Sequence, residues 1–261
     1  MLYSQFHHRV GQPQVPVLVF LHGLLGSGED WAACLPHLHY SCLTVDLPGH
    51  GQSRTRICEG FDDCCAQIVA TLTATLPLGT PIVMVGYSLG GRVAMYGVAS
   101  GAFHALNLKG LLIEGGNFGL LNDDERRARW DSDQRWARRF EQEPIAQVLA
   151  DWYQQAVFSS LNYEQRQILI TRRSANLGGA IAGMLRATSL ARQPYLLDAL
   201  RRLTLPIHYI CGEKDEKFSA LALNSQLSFC QIAGAGHNVH QEAPHAFAQA
   251  ISAQLNSIVL T

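Results

Sequence analysis

Lysine is scarce, with three residues against 17 arginines in a chain of 261. Charge of either sign is nearly balanced, 20 Lys+Arg against 21 Asp+Glu for a formal net charge of −1, so no overall positive field draws the chain onto nucleic acid or an anionic membrane. Charged residues make up only 16% and hydrophobic ones 48%, which excludes intrinsic disorder. Long apolar runs are missing too. The longest, Val15 to Leu21, is far too short to span a bilayer, and the N-terminus lacks the apolar h-region of a signal peptide. The seven cysteines, at positions 34, 42, 58, 64, 65, 211 and 230, are odd in number and contain no C-x-x-C pair. Neither a disulfide framework nor a finger-type zinc site is expected. Reduced, mostly buried thiols and a cytoplasmic location are expected instead.

What is present alternates between two kinds of segment. Val15–Leu21, Cys42–Asp46, Pro81–Gly86 and Gly110–Gly115 are short, continuous apolar runs, as strands buried on both faces of a parallel sheet require. Helix-length stretches, Asp62–Leu76 and Leu89–Ser100, lie between them. A fifth strand, Ile207–Gly212, follows only after some ninety residues; Gln226–Ile232 is a sixth, and a terminal helix starts near Pro244. This predicts an α/β protein with a mostly parallel central sheet, helices on both faces and an inserted helical cap. The core would comprise residues 1–116 and 203–261, and the cap residues 117–202. From Asn122 to Glu143, 13 of 22 residues are charged, and 13 of the 17 arginines fall between Asn117 and Arg202. A solvated amphipathic helix accounts for most of them, yet a preference for arginine over lysine also suits bidentate carboxylate recognition.

Gly86-Tyr87-Ser88-Leu89-Gly90 fits G-x-S-x-G, the strand-to-helix elbow that exposes a nucleophilic serine. Chance alone gives this pattern in about one chain in ten of this length, so its placement after a strand and before a helix carries the weight. A serine nucleophile or base needs an imidazole, and the imidazole an orienting acid. Asp215 follows the fifth strand and His237 the sixth, in the order Ser, acid, His and at carboxyl ends of strands, where open parallel sheets place their sites. Glu213 and Glu216 are competing acids. His240 and His245 are competing bases, read as ordinary polar residues on the approach to the terminal helix. Developing negative charge needs N–H donors, for which the backbone of Leu89 and of Leu24, after His22-Gly23, are the candidates. Arg92 lies four residues after Ser88, where the helix dipole disfavours a cation. An anionic ligand or a structural acid would each account for it. Arg129 shares a helical face with Trp136 and Phe140, either snorkelling or reaching into a cleft. No G-x-G-x-x-G, P-loop or H-E-x-x-H pattern occurs, so neither cofactor nor metal is expected.

Taken together, Val19-Phe20-Leu21-His22-Gly23, Asp46-Leu47-Pro48-Gly49-His50-Gly51-Gln52-Ser53 and the elbow resemble the α/β-hydrolase superfamily. More narrowly, Ile113-Glu114-Gly115-Gly116, Ser132–Trp136, Ala150–Gln155, Arg173-Ser174, Tyr209–Asp215 and Gly234–Asn238 resemble the 2-succinyl-6-hydroxy-2,4-cyclohexadiene-1-carboxylate synthases of menaquinone biosynthesis. Leu24 departs from that pattern, where enterobacterial members carry an aromatic residue; a backbone donor survives the change. The resemblance implies a lyase rather than a hydrolase. It would abstract a proton from 2-succinyl-5-enolpyruvyl-6-hydroxy-3-cyclohexene-1-carboxylate and eliminate pyruvate, with Ser88, His237 and Asp215 as the base and no acyl-enzyme. It further implies Tyr87, Arg92, Arg129, Trp152, Phe158 and Arg173 as contacts to a small polycarboxylate substrate. Two alternatives stand beside it: a serine hydrolase of esters, thioesters or C–C bonds with the same triad, and a non-catalytic binding protein that kept the fold. The complete triad speaks against the second, and the arginines against a neutral-ester pocket.

Overall fold

A computed structural model describes residues 1–8 and 16–259. Its centre is a seven-stranded sheet of β1 (Ser4–His7), β2 (Val17–Leu21), β3 (Cys42–Val45), β4 (Ile82–Tyr87), β5 (Leu108–Glu114), β6 (Ile207–Gly212) and β7 (Ser228–Ile232). The spatial order is β1-β3-β2-β4-β5-β6-β7, with β1 antiparallel to β3 and all other pairs parallel. Six strands fall where the apolar runs predict them, within a few residues. Val15 lies outside the described residues. Gln226, expected in the last strand, instead sits at φ 58° where a helix ends, and β7 begins two residues later. β1 was not expected at all: four half-exposed or exposed residues at a sheet edge carry no buried run to betray them.

The alternation of side chains along β2 explains why these strands are apolar on both faces. Val17, Val19 and Leu21 join Met84, Leu111 and Ile113 in one core, under α1 (Phe61–Thr75) and α2 (Leu89–Ala99). Leu18 and Phe20 join Val83, Val85 and Leu112 in a second core on the opposite face. Of the later helices α3 (Asp123–Gln142), α4 (Ile145–Trp152), α5 (Tyr163–Arg173), α6 (Gly178–Ala187), α7 (Leu197–Arg201), α8 (Glu216–Ser225), α9 (Val239–Glu242) and α10 (Pro244–Val259), the last covers that face through Phe247, Ile251 and Leu255.

Helices α3 to α6 lie in the chain between β5 and β6 and share a third core, in which Phe140, Leu149, Phe158 and Ile181 pack with Leu25 of the loop after β2. α3 starts as its sequence dictates: the Asn122 side chain accepts from Glu125 N at 2.8 Å, and Asp123, Asp124 and Glu125 fill the first turn, where the dipole favours acids. Most arginines of this region are used internally. Arg126 donates to backbone carbonyls of Leu120 and Gln193, Arg139 pairs with Glu143 and Asp151, and Arg186 with Glu141.

The chain runs from β2 outward to β3 and then crosses to β4, so the strand order reverses between β2 and β4. Loops leaving these two strands diverge, and a crevice opens at their carboxyl ends. His22-Gly23-Leu24 and Ser88 stand on its two sides.

Candidate active site

Ser88 sits at φ 48° and ψ −106°, a conformation that non-glycine residues rarely take and that the elbow enforces. Its N–H donates to Glu114 O at 2.8 Å, tying the turn to β5. The flanking glycines are steric requirements: a Cβ on Gly86 would lie 2.7 Å from the backbone of Gly90 and Gly91, and one on Gly90 2.2 Å from Leu21 O. α2 therefore starts hard against the end of β2, with the Leu89 N–H at its first turn.

Asp215 caps α8, its Oδ1 accepting from Phe218 N at 3.3 Å, and its Oδ2 lies 2.6 Å from His237 Nδ1. An ionised carboxylate only accepts, so Nδ1 donates this bond, which leaves Nε2 as the ring nitrogen available to a second partner. Both side chains are buried, and the imidazole is enclosed by the rings of Phe218, Tyr87 and Phe158. The competing groups stand elsewhere. Glu213 is exposed and accepts from Gly234 N; Glu216 and His245 are exposed. His240 corrects the sequence reading. It is wholly buried, its ring tilted against Trp31, with Nδ1 2.9 Å from both oxygens of the equally buried Glu114.

The loop after β2 is held by two buried imidazoles. His22 Nδ1 lies 2.7 Å from Gly23 O while its Nε2 accepts from Leu47 N at 2.9 Å. His50 Nδ1 lies 2.9 Å from Pro48 O while its Nε2 accepts from Leu25 N at 3.0 Å. Each ring uses one nitrogen as acceptor, so both are neutral. Burial draws the pKa of His22 down to about 4 and that of His50 to about 3. Leu25 N, Gly26 N and Ser27 N all have acceptors, whereas the N–H groups of Leu24 and Leu89 meet no backbone acceptor among the described residues.

Ser88 lines two cavities. The larger, about 660 Å³, is walled by Arg129, Trp136, Trp152, Phe158, Lys214, Asp215, Lys217 and His237, among others. The smaller, about 110 Å³, is walled by Leu24, Leu89, Arg92, Asn117, Arg129, Trp152 and Lys217, among others. Arg92 is buried, and its guanidinium donates to Thr188 O at 2.9 Å and to Gln193 Oε1 at 3.3 Å. Among the described residues no carboxylate pairs with it; burial, then the like charge of Arg129, draws its pKa down to about 9. Arg129 Nε holds Asp133 at 2.8 Å, and Ser189 donates to the other oxygen of Asp133 at 2.7 Å. Lys217 has its pKa lowered by burial and by Arg129. Two of the chain's three lysines thus face this cavity, beside Asp215, a clustering visible in the sequence and not used there.

Of the remaining expected contacts, Trp152 and Phe158 line the larger cavity. Tyr87 is buried, its hydroxyl donating to Asn238 Oδ1. Arg173 lies apart, in neither of the Ser88 cavities: its Nη1 is 2.6 Å from Asp30 Oδ1, and it borders a separate cavity of about 260 Å³ beside Leu25, Gly26 and Gly51. Among the described residues no cluster of His, Cys, Asp and Glu is assembled to hold a metal ion, and no helix is long and apolar enough to cross a membrane.

A mostly parallel sheet with a serine at the β4–α2 elbow, and an acid-paired histidine later in the chain, defines a class. The chain belongs to the alpha/beta hydrolase family, whose profile residues 18–250 match. Within it, the chain is 50% identical over 246 residues to the 2-succinyl-6-hydroxy-2,4-cyclohexadiene-1-carboxylate synthase of Yersinia pestis (strain Pestoides F), a match that covers 92% of this chain and 88% of that protein. The synthase of Yersinia pseudotuberculosis serotype O:1b matches to the same extent. The solved structure of MenH from S. aureus superposes with a TM-score of 0.90 at 26% identity, covering 99% of both chains. A thermophilic esterase from Thermogutta terrifontis shares the fold, with a TM-score of 0.76 at 22% identity over 98% of this chain and 93% of that one. The resemblance read from the motifs is therefore matched by whole-chain similarity.

Proposed function

We propose that the chain is a cytoplasmic, cofactor-independent lyase. It converts 2-succinyl-5-enolpyruvyl-6-hydroxy-3-cyclohexene-1-carboxylate to 2-succinyl-6-hydroxy-2,4-cyclohexadiene-1-carboxylate and pyruvate. The observation that carries this reading is the excess of cations around Ser88, where Arg92, Arg129 and Lys217 share a small cavity with no carboxylate in its wall. A buried guanidinium without an acidic partner is stable in a site made for anions, and this substrate carries several carboxylates. The 50% identity to named synthases supports the same assignment.

In this mechanism Asp215 holds His237 with Nε2 unprotonated, and His237 removes the proton of Ser88 as the serine takes the substrate proton at C2, next to the succinyl carbonyl. The enolate oxygen is met by the Leu24 and Leu89 N–H groups. The electron pair then forms C2=C3, the C3=C4 pair moves to C4=C5, and the C5–O bond breaks. Enolpyruvate leaves and takes a proton on carbon to become pyruvate, so no acyl-enzyme forms. Arg92, Arg129 and Lys217 bind carboxylates, Trp152 and Phe158 flank the ring, and Tyr87 buttresses His237. Helices α3 to α6 serve as the cap over this site, with residues 117–202 as its extent.

Incubation with the enolpyruvyl substrate should release pyruvate, detected by coupled oxidation of a nicotinamide cofactor. Ser88→Ala and His237→Ala should each abolish most of it, and the double variant should be little worse than either, because the groups act as one unit. Hydrolysis of a p-nitrophenyl ester with no pyruvate release, together with a substrate-dependent mass adduct on Ser88, would assign the chain to the hydrolases instead.

A further inference from the structure

The turn that presents Leu24 is strained and heavily restrained. Leu25 adopts φ 69°, a region costly for a branched side chain. Such a conformation persists only where its surroundings over-determine it. From one side the restraint is His50, bonded to Leu25 N. From the other it is α5 and the residues just after it. Asn176 Nδ2 donates to Leu25 O at 2.9 Å and to Arg173 O at 3.0 Å. Arg173 Nη1 meets Asp30 Oδ1 at 2.6 Å, with the two side chains 9% and 3% exposed. Asp30 Oδ2 accepts from Ser27 N at 3.4 Å, and the Ser27–Asp30 capping box closes the turn that follows Gly26.

We infer that Arg173 is a positioning residue, acting through Asp30 to hold the Gly23–Ser27 turn so that the Leu24 N–H faces the Ser88 cavity, and not a contact to the substrate. The inference rests on reading Leu24 as an oxyanion donor. Arg173 lines neither of the cavities that Ser88 lines, and a substrate carboxylate that took Nη1 would leave the buried Asp30 carboxylate unpaired. The ion pair also joins α5 to the loop after β2, so helices of the inserted segment help to build the oxyanion hole.

The test compares Arg173→Met, Asp30→Asn, their double variant and Asn176→Ala, with Arg138→Ala as an exposed control. Pyruvate release and phenylmethanesulfonyl fluoride labelling of Ser88 are both measured. A misplaced donor should lower kcat by about 10- to 100-fold with KM held within about threefold. Asp30→Asn should match Arg173→Met, and the double variant should be no worse, as expected for partners in one interaction. The sulfonyl fluoride carries no carboxylate, so its slower reaction with both singles reports the turn and not substrate binding. Should Arg173→Met raise KM tenfold or more at unchanged kcat and leave labelling as fast as wild type, while Asp30→Asn changes neither, Arg173 is a substrate contact and the inference is wrong. If Arg173→Met does not fold, Asn176→Ala decides: wild-type kcat and labelling in that variant overturn the proposal. Absence of pyruvate from the wild-type enzyme would sink the lyase reading alone, since the labelling rates still report whether Arg173 and Asp30 hold the donor.

Discussion

Arg92 illustrates how a single side chain discloses the chemistry of a site. A cation near the start of α2 opposes the helix dipole, its burial removes solvation, and its neighbour Arg129 adds like charge; among the described residues it donates to neutral oxygens of Thr188 and Gln193, lies over the Phe61 ring and feels Asp133 without an ion pair. In the proposed reaction a substrate carboxylate in the adjoining cavity would supply what is missing, as a charge-assisted bond worth about 1.5–3 kcal/mol. Arg92→Met should therefore lower kcat/KM by about 10- to 200-fold, and Lys217→Met should follow in the same direction. Arg92→Lys should recover part of the loss, because it keeps the charge without the planar fork, while Arg138→Ala should be near wild type. Melting curves separate these effects from misfolding. Wild-type kcat/KM in both Arg92→Met and Lys217→Met would remove the anion site. Motif and strand position made it readable that Ser88, Asp215 and His237 come together, and the three do line one cavity, with Asp215 paired to His237. Arg92 and Arg129, singled out in the sequence, do line a cavity with Ser88, whereas the pairing of Arg173 with Asp30 was not readable, since only the fold brings the two together.

At the scale of elements, the elbow is a meeting of three backbones, and its tolerance for added atoms is small. A methyl group on Gly90 would stand 2.2 Å from Leu21 O, which is main chain and cannot rotate aside. Gly90→Ala must push α2 away from β2, carrying the Leu89 N–H with it. Overpacking of this kind costs about 1–3 kcal/mol or more. In a chain of this size that should lower Tm by roughly 2–12 °C, and kcat should drop further than the melt alone accounts for. A melt and a kcat at wild-type values would mean that the elbow is slack. The buried strands were legible because a parallel strand covered on both faces must be a continuous apolar run. β1 was not, since its edge position imposes no such demand. His240 misled for a related reason. A histidine at the start of a short helix reads as solvated, and its partner Glu114 lies 126 residues earlier on β5, a pairing that only the folded sheet creates.

For the molecule as a whole, the buried neutral histidines set the acid limit of stability. His22 and His50 have pKa values drawn down to about 4 and about 3, chiefly by burial, and burial also draws His208 on β6 to about 4. Unfolded, each would titrate near 6.5, so below that pH the unfolded chain binds protons that the folded one refuses. Their contribution is fully present above pH 6.5 and is lost as pH falls toward the folded values. Each histidine then removes up to about 1.4 kcal/mol of stability per pH unit. Asp30 works in the same sense at lower pH: burial opposes its charge, yet Arg173 overrides that and holds its carboxyl below the usual range. Urea denaturation midpoints should therefore be flat from pH 8 to 7 and fall steadily from pH 6.5 to 4.5. The folded protein should keep the His22 and His50 bonds that hold the loop after β2 down to about pH 5, because both pKa values lie below that. A denaturation midpoint that does not change between pH 7 and 5 would show that these imidazoles titrate alike in both states, contrary to their burial.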